Sequence, residues 1–408
     1  MNESGDHFGT VVSGVSGTWP EAPAFWSYSS LGAAEECPRR WMLCRADYGN
    51  LWEGHGYPPR PAFAALVGTV VHRCLELLLV AFQAQGCPSV ADPAAVDAIR
   101  GLGGYSKLVE LVINEELAAL KGNPRAADLE PALARQLTKS VPQIRQRVQM
   151  AISRARLAPA GGDSEMGPEG SDEIGVTRGS HTEVELRDED LRVMGRADLI
   201  TVSETGCTIT DYKTGEPSEG HADQLRLYGL LWTRDKRVNP DQIPIESLVV
   251  AYATHDEPVD APSAAELATL ADQITSRIAA TEEQLDQRPP PAKPDPEICR
   301  FCDVKHLCDD YWATVPSMLG AGPSESATGF VDCEGEIAQR NGPMSWVIGL
   351  EGEPDSALLR TTDERPGFGV GDYVRLLGVA AGTVEAEGAS QVVLTMTPFS
   401  EAFLLNPH

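Results

Sequence analysis

The run Ile209-Thr210-Asp211-Tyr212-Lys213-Thr214-Gly215 decides the fold, together with the strand-like Gly195-Arg196-Ala197-Asp198-Leu199-Ile200 just before it. Side chains alternate faces along an extended strand, so Asp211 and Lys213 point to one side and Tyr212 to the other. Between the two runs, Thr201 to Cys207 carries Ser203-Glu204-Thr205-Gly206 and reads as a hairpin turn. Folding there brings Asp198 beside Asp211. Two carboxylates and an amine then share one edge of a sheet.

Such an edge has a definite chemistry. Carboxylate oxygens are hard ligands suited to Mg2+ or Mn2+, and an ion held by them polarises a phosphoryl oxygen and lowers the pKa of a bound water. A neighbouring lysine orients that water or offsets charge growing on phosphorus. Asp-x-Lys by itself is equally an ordinary solvated strand, because short motifs recur by chance. The flanking sequence has to arbitrate. Upstream, Gly68-Thr69-Val70-Val71-His72 opens a helix in which Leu75 and Leu79 share a face with His72. Downstream, Ala222-Asp223-Gln224-Leu225-Arg226-Leu227-Tyr228 puts Gln224 and Tyr228 one turn apart on one helical face.

Taken in order, Gly68–His72, Gly195–Ile200, Asp211–Gly215 and Gln224–Tyr228 resemble the RecB-like branch of the PD-(D/E)XK nuclease superfamily, over residues 26–315. The resemblance implies an α/β core of the restriction-endonuclease kind, a small mixed sheet flanked by helices. It implies that His72, Asp198 and Asp211 hold Mg2+ or Mn2+, that Lys213 is the catalytic lysine, and that Gln224 and Tyr228 support the site or the DNA strand. The second acid of the family motif is often Glu; here it is Asp211. In the strand-like Thr182–Leu186, Glu183 and Glu185 compete as a further acidic contributor.

A second constellation is independent of the first. Cys299, Cys302 and Cys308 cluster late, while Cys37 stands early within Glu36-Cys37-Pro38-Arg39-Arg40-Trp41. Four thiolates from two distant segments can close a tetrahedral metal or iron–sulfur site. One early cysteine plus three late ones resembles the [4Fe-4S] staple of the AddB-type nucleases and the CRISPR-associated exonucleases. Zinc is the alternative, although zinc sites usually show two Cys-x-x-Cys pairs or a Cys/His mixture, and Cys37 has no near partner but Cys44. Closing a loop of this length restricts the unfolded chain strongly, so the group is expected to be structural. Cys74, Cys87, Cys207 and Cys333 read as isolated buried fillers, and disulfides are not expected.

The chain has 408 residues and a formal net charge of −27. That length can bury two cores. No run of eighteen apolar residues indicates a membrane span, and residues 1–25 read as a flexible arm without a signal peptide's pattern, so a cytoplasmic protein is expected. Acidity sits awkwardly with a DNA partner, because neutralising phosphates takes cations. Basic residues are segregated, however: Arg135, Lys139, Arg145, Arg147 and Arg154 fall in one helical stretch, and Arg39 and Arg40 flank Trp41. Arg39, Arg40, Arg145 and Arg147 are the candidate nucleic-acid contacts, against the plainer reading of a solvated face.

Residues 159–175 are acidic and rich in Gly and Pro, which marks a disordered insertion, and 316–329 reads as a linker. Beyond it, short strand-like runs suggest a small β-barrel of the OB kind over 330–408, with Trp346, Tyr373 and Arg375 the only obvious strand-binding candidates. No G-x4-G-K-[ST] sequence occurs, so a motor for long duplexes would come from a helicase or other subunit in trans. The expected function is a metal-dependent DNA nuclease acting on ends or single strands. The alternative is a catalytically silent nucleic-acid-binding or assembly subunit.

Overall fold

The computed structural model describes residues 10–11, 19–49, 51–52, 54–127, 129–158, 175–314, 329–350, 355–386 and 389–405. The expected insertion and linker fall almost wholly outside these residues, as does most of the N-terminal arm. Within the arm, residues 10–11 form a two-residue strand, β1 (Thr10–Val11), and residues 19–25 are also described.

Helices come first: α1 (Tyr28–Glu36), α2 (Pro38–Arg45), α3 (Phe63–Ala84), α4 (Pro93–Gly101), α5 (Tyr105–Ala119) and α6 (Glu130–Ile152). The strands β2 (Gly179–Asp188), β3 (Val193–Val202) and β4 (Cys207–Lys213) then run as an antiparallel meander. A parallel return needs a crossover, which α7 (Glu219–Arg234) supplies before β5 (Ile245–Tyr252) pairs parallel with β4. The strand β6 (Asp256–Val259) completes a mixed sheet in the order β2-β3-β4-β5-β6. The expected hairpin is present: Val202 pairs with Cys207, and Ser203 N–H donates to Gly206 C=O at 2.8 Å.

Each face of this sheet carries a separate core. On one side Ala197, Ile200, Ile209, Leu248 and Val250 pack with Leu225, Leu231 and Trp232 of α7 and with Ile274 and Ile278 of α8 (Ala264–Leu285). On the other, Leu199, Tyr212 and Ala251 meet the α3–α6 layer. The helix α3 follows from its sequence, since Val67, Val70, Val71, Cys74, Leu78 and Phe82 recur at helical spacing and are all buried. It is long and apolar enough to cross a membrane by length and composition, but here it packs as a core helix against α5 and α6.

The cysteine segment follows as α9 (Pro296–Cys299), a 3-10 turn at Lys305–Leu307 and α10 (Asp309–Thr314). The last strands are β7 (Phe330–Gly342), β8 (Ser345–Leu350), β9 (Ser356–Arg360), β10 (Tyr373–Ala386), β11 (Ala389–Thr395) and β12 (Glu401–Leu405). The order β7-β8-β9-β11-β10 closes on itself through β10–β7 pairing, with β9 and β11 parallel, giving a five-strand barrel. The strand β12 extends the sheet from β10, and β1 lies parallel on β12.

Contacts from the barrel land mainly on the cysteine segment. Arg375 donates to His306 C=O at 2.6 Å and to Asp309 at 3.1 Å. Tyr311 donates to Asp332 at 2.7 Å, Lys305 pairs with the same carboxylate at 2.5 Å, and His306 stacks on Phe403 with ring centroids 3.8 Å apart. Arg125 bridges the two parts, donating to Asp303 C=O at 2.7 Å and to both oxygens of Glu401 at 2.8 Å. These ties correct the sequence reading of the barrel. Trp346 is buried in the barrel core, and Arg375 is spent on docking, so neither presents itself to a nucleic acid.

Candidate active site

The site lies where the sheet forks. Pairing between β3 and β4 ends at Leu199–Thr210; beyond it β3 stays with β2 while β4 stays with β5. Asp198 and Asp211 flank the fork. The Asp198 carboxylate reaches across it and accepts the Tyr212 N–H at 2.6 Å, which fixes one of its oxygens. Its other oxygen lies 3.4 Å from Nε2 of His72, carried by α3. Gly68 permits this approach of helix to sheet: a Cβ there would meet Thr214 Oγ1 at 3.1 Å.

Glu183 settles the competition with Glu185. Its carboxylate stands 3.7 Å from His72 Nε2, whereas Glu185 points to Arg237 at 3.9 Å. Glu183 sits between the pairs Thr182–Leu199 and Val184–Ala197 with φ of +54°, a left-handed kink in β2 that aims its side chain at the cleft. Alternation along a regular strand gives 183 and 185 the same face, so only the kink separates them. One ligand atom each from His72, Glu183 and Asp198 come within 4.8 Å of one another. Asp211 stands outside that group.

Asp211 faces Lys213 instead. The ammonium is 2.7 Å from Asp211 Oδ2 but lies off hydrogen-bond alignment, leaving this buried oxygen without a hydrogen bond among the described residues. Lys213 donates to Gln224 Oε1 at 2.8 Å, and Gln224 Nε2 donates to the Tyr228 hydroxyl at 2.6 Å. The pair on α7 thus holds the lysine head, as their shared helical face allows. Gly195 makes room for the last member, since a Cβ there would fall 2.5 Å from the Tyr228 ring.

Electrostatics match the geometry. Burial first, and the charge of Asp211 second, push Asp198 well above the usual carboxylate range. Glu183, too far for a good hydrogen bond but close enough to pair, is the main cause that raises His72; Asp198 adds to it. The donor set of one imidazole and carboxylate oxygens fits a small divalent cation.

The four cysteines of the second constellation line one cavity with Arg39, Arg40 and Lys293. Cys37 and Cys308 are buried, and Cys299 and Cys302 are half-buried. Burial raises the Cys302 and Cys308 thiols above the ordinary range. Cys74, Cys87, Cys207 and Cys333 are buried in the cores, as expected of fillers.

The basic candidates separate. Arg39 is committed to Pro290 C=O at 2.6 Å and Asp310 at 3.2 Å, and Arg40 pairs with Glu36. Arg154 is tied to Asp256 at 2.8 Å. Arg145 and Arg147 are exposed on α6, but residues two apart diverge around a helix, and Arg145 reaches Ser106 on α5. They do not form one face.

The model of the PD-(D/E)XK nuclease superfamily matches residues 25–309, which contain the forked sheet and every cleft residue above. This chain belongs to the PD-(D/E)XK nuclease superfamily. Members of the PD-(D/E)XK superfamily are usually nucleases, that is, hydrolases. No curated protein matches the chain. Among solved structures, the crystal structure of SSO0001 is 20% identical over 32% of this chain and 60% of that one, with a TM-score of 0.21. A murine DNA-binding protein bound to double-stranded DNA is 10% identical over 56% and 95%, with a TM-score of 0.16.

Proposed function

We propose that this PD-(D/E)XK protein is a Mg2+- or Mn2+-dependent DNA nuclease acting on ends or single strands. The observation that carries this reading is the convergence of His72, Glu183 and Asp198 at the strand fork beside the Asp211–Lys213 pair. His72, Glu183 and Asp198, with Asp211 beside them, would hold the metal, which would supply Lewis-acid polarisation of the phosphate and a more acidic water. Lys213 orients that water and offsets charge on the phosphorane oxygens. Gln224 and Tyr228 keep its ammonium in place, so orientation is set before substrate arrives. Tyr212, pointing to the opposite face, anchors β4 in the α3–α6 layer.

Cys37, Cys299, Cys302 and Cys308 hold a [4Fe-4S] cluster that staples the two ends of the catalytic region, and unwinding comes from a helicase or other partner in trans. Cleavage of 5′- and 3′-labelled single and double strands, with and without blocked ends and with each metal, tests the activity. Asp211→Ala, Lys213→Ala and Glu183→Gln should each lower cleavage by about 100-fold or more with circular dichroism unchanged. Undiminished cleavage by the lysine variant would refute the assignment. The cluster predicts a brown protein absorbing near about 400 nm; a colourless protein with stoichiometric zinc refutes it.

A further inference from the structure

Among the described residues, the cleft contains one lysine or arginine whose side chain makes no hydrogen bond. Three line it: Arg73, Arg196 and Lys213. Lys213 is committed to Asp211 and Gln224, and Arg73 to Glu76 one helical turn on. The side chain of Arg196 is 64% exposed, makes no hydrogen bond among the described residues, and has its nearest carboxylate, Glu183, at 4.0 Å. Glu183 in turn is shared with His72.

We propose that Arg196 grips the backbone phosphate next to the scissile one and so positions the strand; the proposal rests on the nuclease reading above. Arg196 precedes Asp198 by two residues on β3, a step of about 6.6 Å along the cleft from the group assigned to the metal. Its backbone is paired with Glu185 of β2, so the guanidinium projects from a fixed strand and not from a loop. The other walls supply Glu76, Glu116, Asp198 and Asp211, which repel a polyanion. A protein with a net charge of −27 needs local cations where phosphate enters, and a planar guanidinium presents two donors matched to phosphate oxygens. The plainer role, a surface partner for Glu183, is weakened by the 4.0 Å separation and the exposure.

The test uses the full chain with Lys213→Ala as parent, so that binding of a labelled single-stranded oligonucleotide in Mg2+ is read without cleavage. Adding Arg196→Ala should weaken binding about tenfold and flatten the dependence of log K on log salt by about one, while Arg196→Lys keeps the slope. In the otherwise unaltered chain, Arg196→Ala should raise KM with kcat held within about twofold. Unchanged slope and KM overturn the proposal, as does a fall in kcat at constant KM, which assigns the residue to Glu183. If the unaltered chain cuts no strand and Arg196→Ala still flattens the salt slope, the nuclease reading falls and the phosphate contact stands.

Discussion

At the scale of single residues, two positions trade fold stability for site geometry. Glu183 occupies a left-handed backbone conformation that costs a side-chain-bearing residue about 1 kcal/mol or more. Glycine relieves that strain, so Glu183→Gly should leave unfolding stability within about 1 kcal/mol, measured by urea denaturation, while cleavage is lost. A drop of several kcal/mol would show that the kink is held by the carboxylate's contacts. Gly195 is the complementary case. Its substitution by Ala overpacks the buried Tyr228 ring, with an expected loss of about 1–3 kcal/mol and a fall in cleavage, as Gln224 and Lys213 lose their support. Tyr228→Phe keeps the ring but removes the acceptor for Gln224; it should fold normally and still cut more slowly. Equal cleavage by Tyr228→Phe and the unaltered chain would break the proposed relay.

At the scale of elements, periodicity and capping were written plainly. The stripe on α3 and the Ser263-x-x-Glu266 capping box opening α8 are local signals whose partners lie within a turn. Removing the box by Ser263→Ala should cost about 1 kcal/mol, visible as a lowered denaturation midpoint, with cleavage unaffected because α8 packs away from the cleft. The basic stretch on α6 is divided by the structure for a physical reason. Proximity in sequence put Arg145 and Arg147 together, while the helix turned them apart and tertiary packing gave Arg154 to Asp256. The strand fork was likewise invisible, because nothing local to Leu199 or Thr210 says that pairing stops there.

At the scale of the molecule, the barrel is held mainly through residues 303–312, the segment between and beyond the late cysteines. Any group that orders Cys302 and Cys308 therefore also orders the docking surface. Stripping metal with a chelator, or Cys302→Ser, should expose the chain after Thr314 to limited proteolysis; an unchanged digestion pattern would uncouple the two. Arg375→Ala should do the same while leaving the visible absorption intact, since Arg375 serves the docking and not the thiolates. His306 marks a site of the opposite kind. Both of its ring nitrogens are buried without a hydrogen bond among the described residues while the ring stacks on Phe403, so His306→Phe should be neutral or stabilising by thermal melt. A loss of more than about 2 kcal/mol would mean that the imidazole has a polar role.

The sequence by itself determined the family core, because Asp211-x-Lys213, Asp198 and the Gln224/Tyr228 pair depend on strand alternation, a short hairpin and one helical turn, all spanning few residues. It also marked a small barrel through runs that fall on β7, β8, β10 and β11, whereas β9, which pairs parallel with β11, was not marked. Only the tertiary structure chose Glu183 over Glu185, freed Arg196 while tying Arg39 and Arg154, and turned Arg375 and Trp346 inward. Those outcomes depend on where a strand kinks or forks and on which distant carboxylate reaches a cation first. Such competition between parts far apart in the chain is decided by packing, which leaves no local mark.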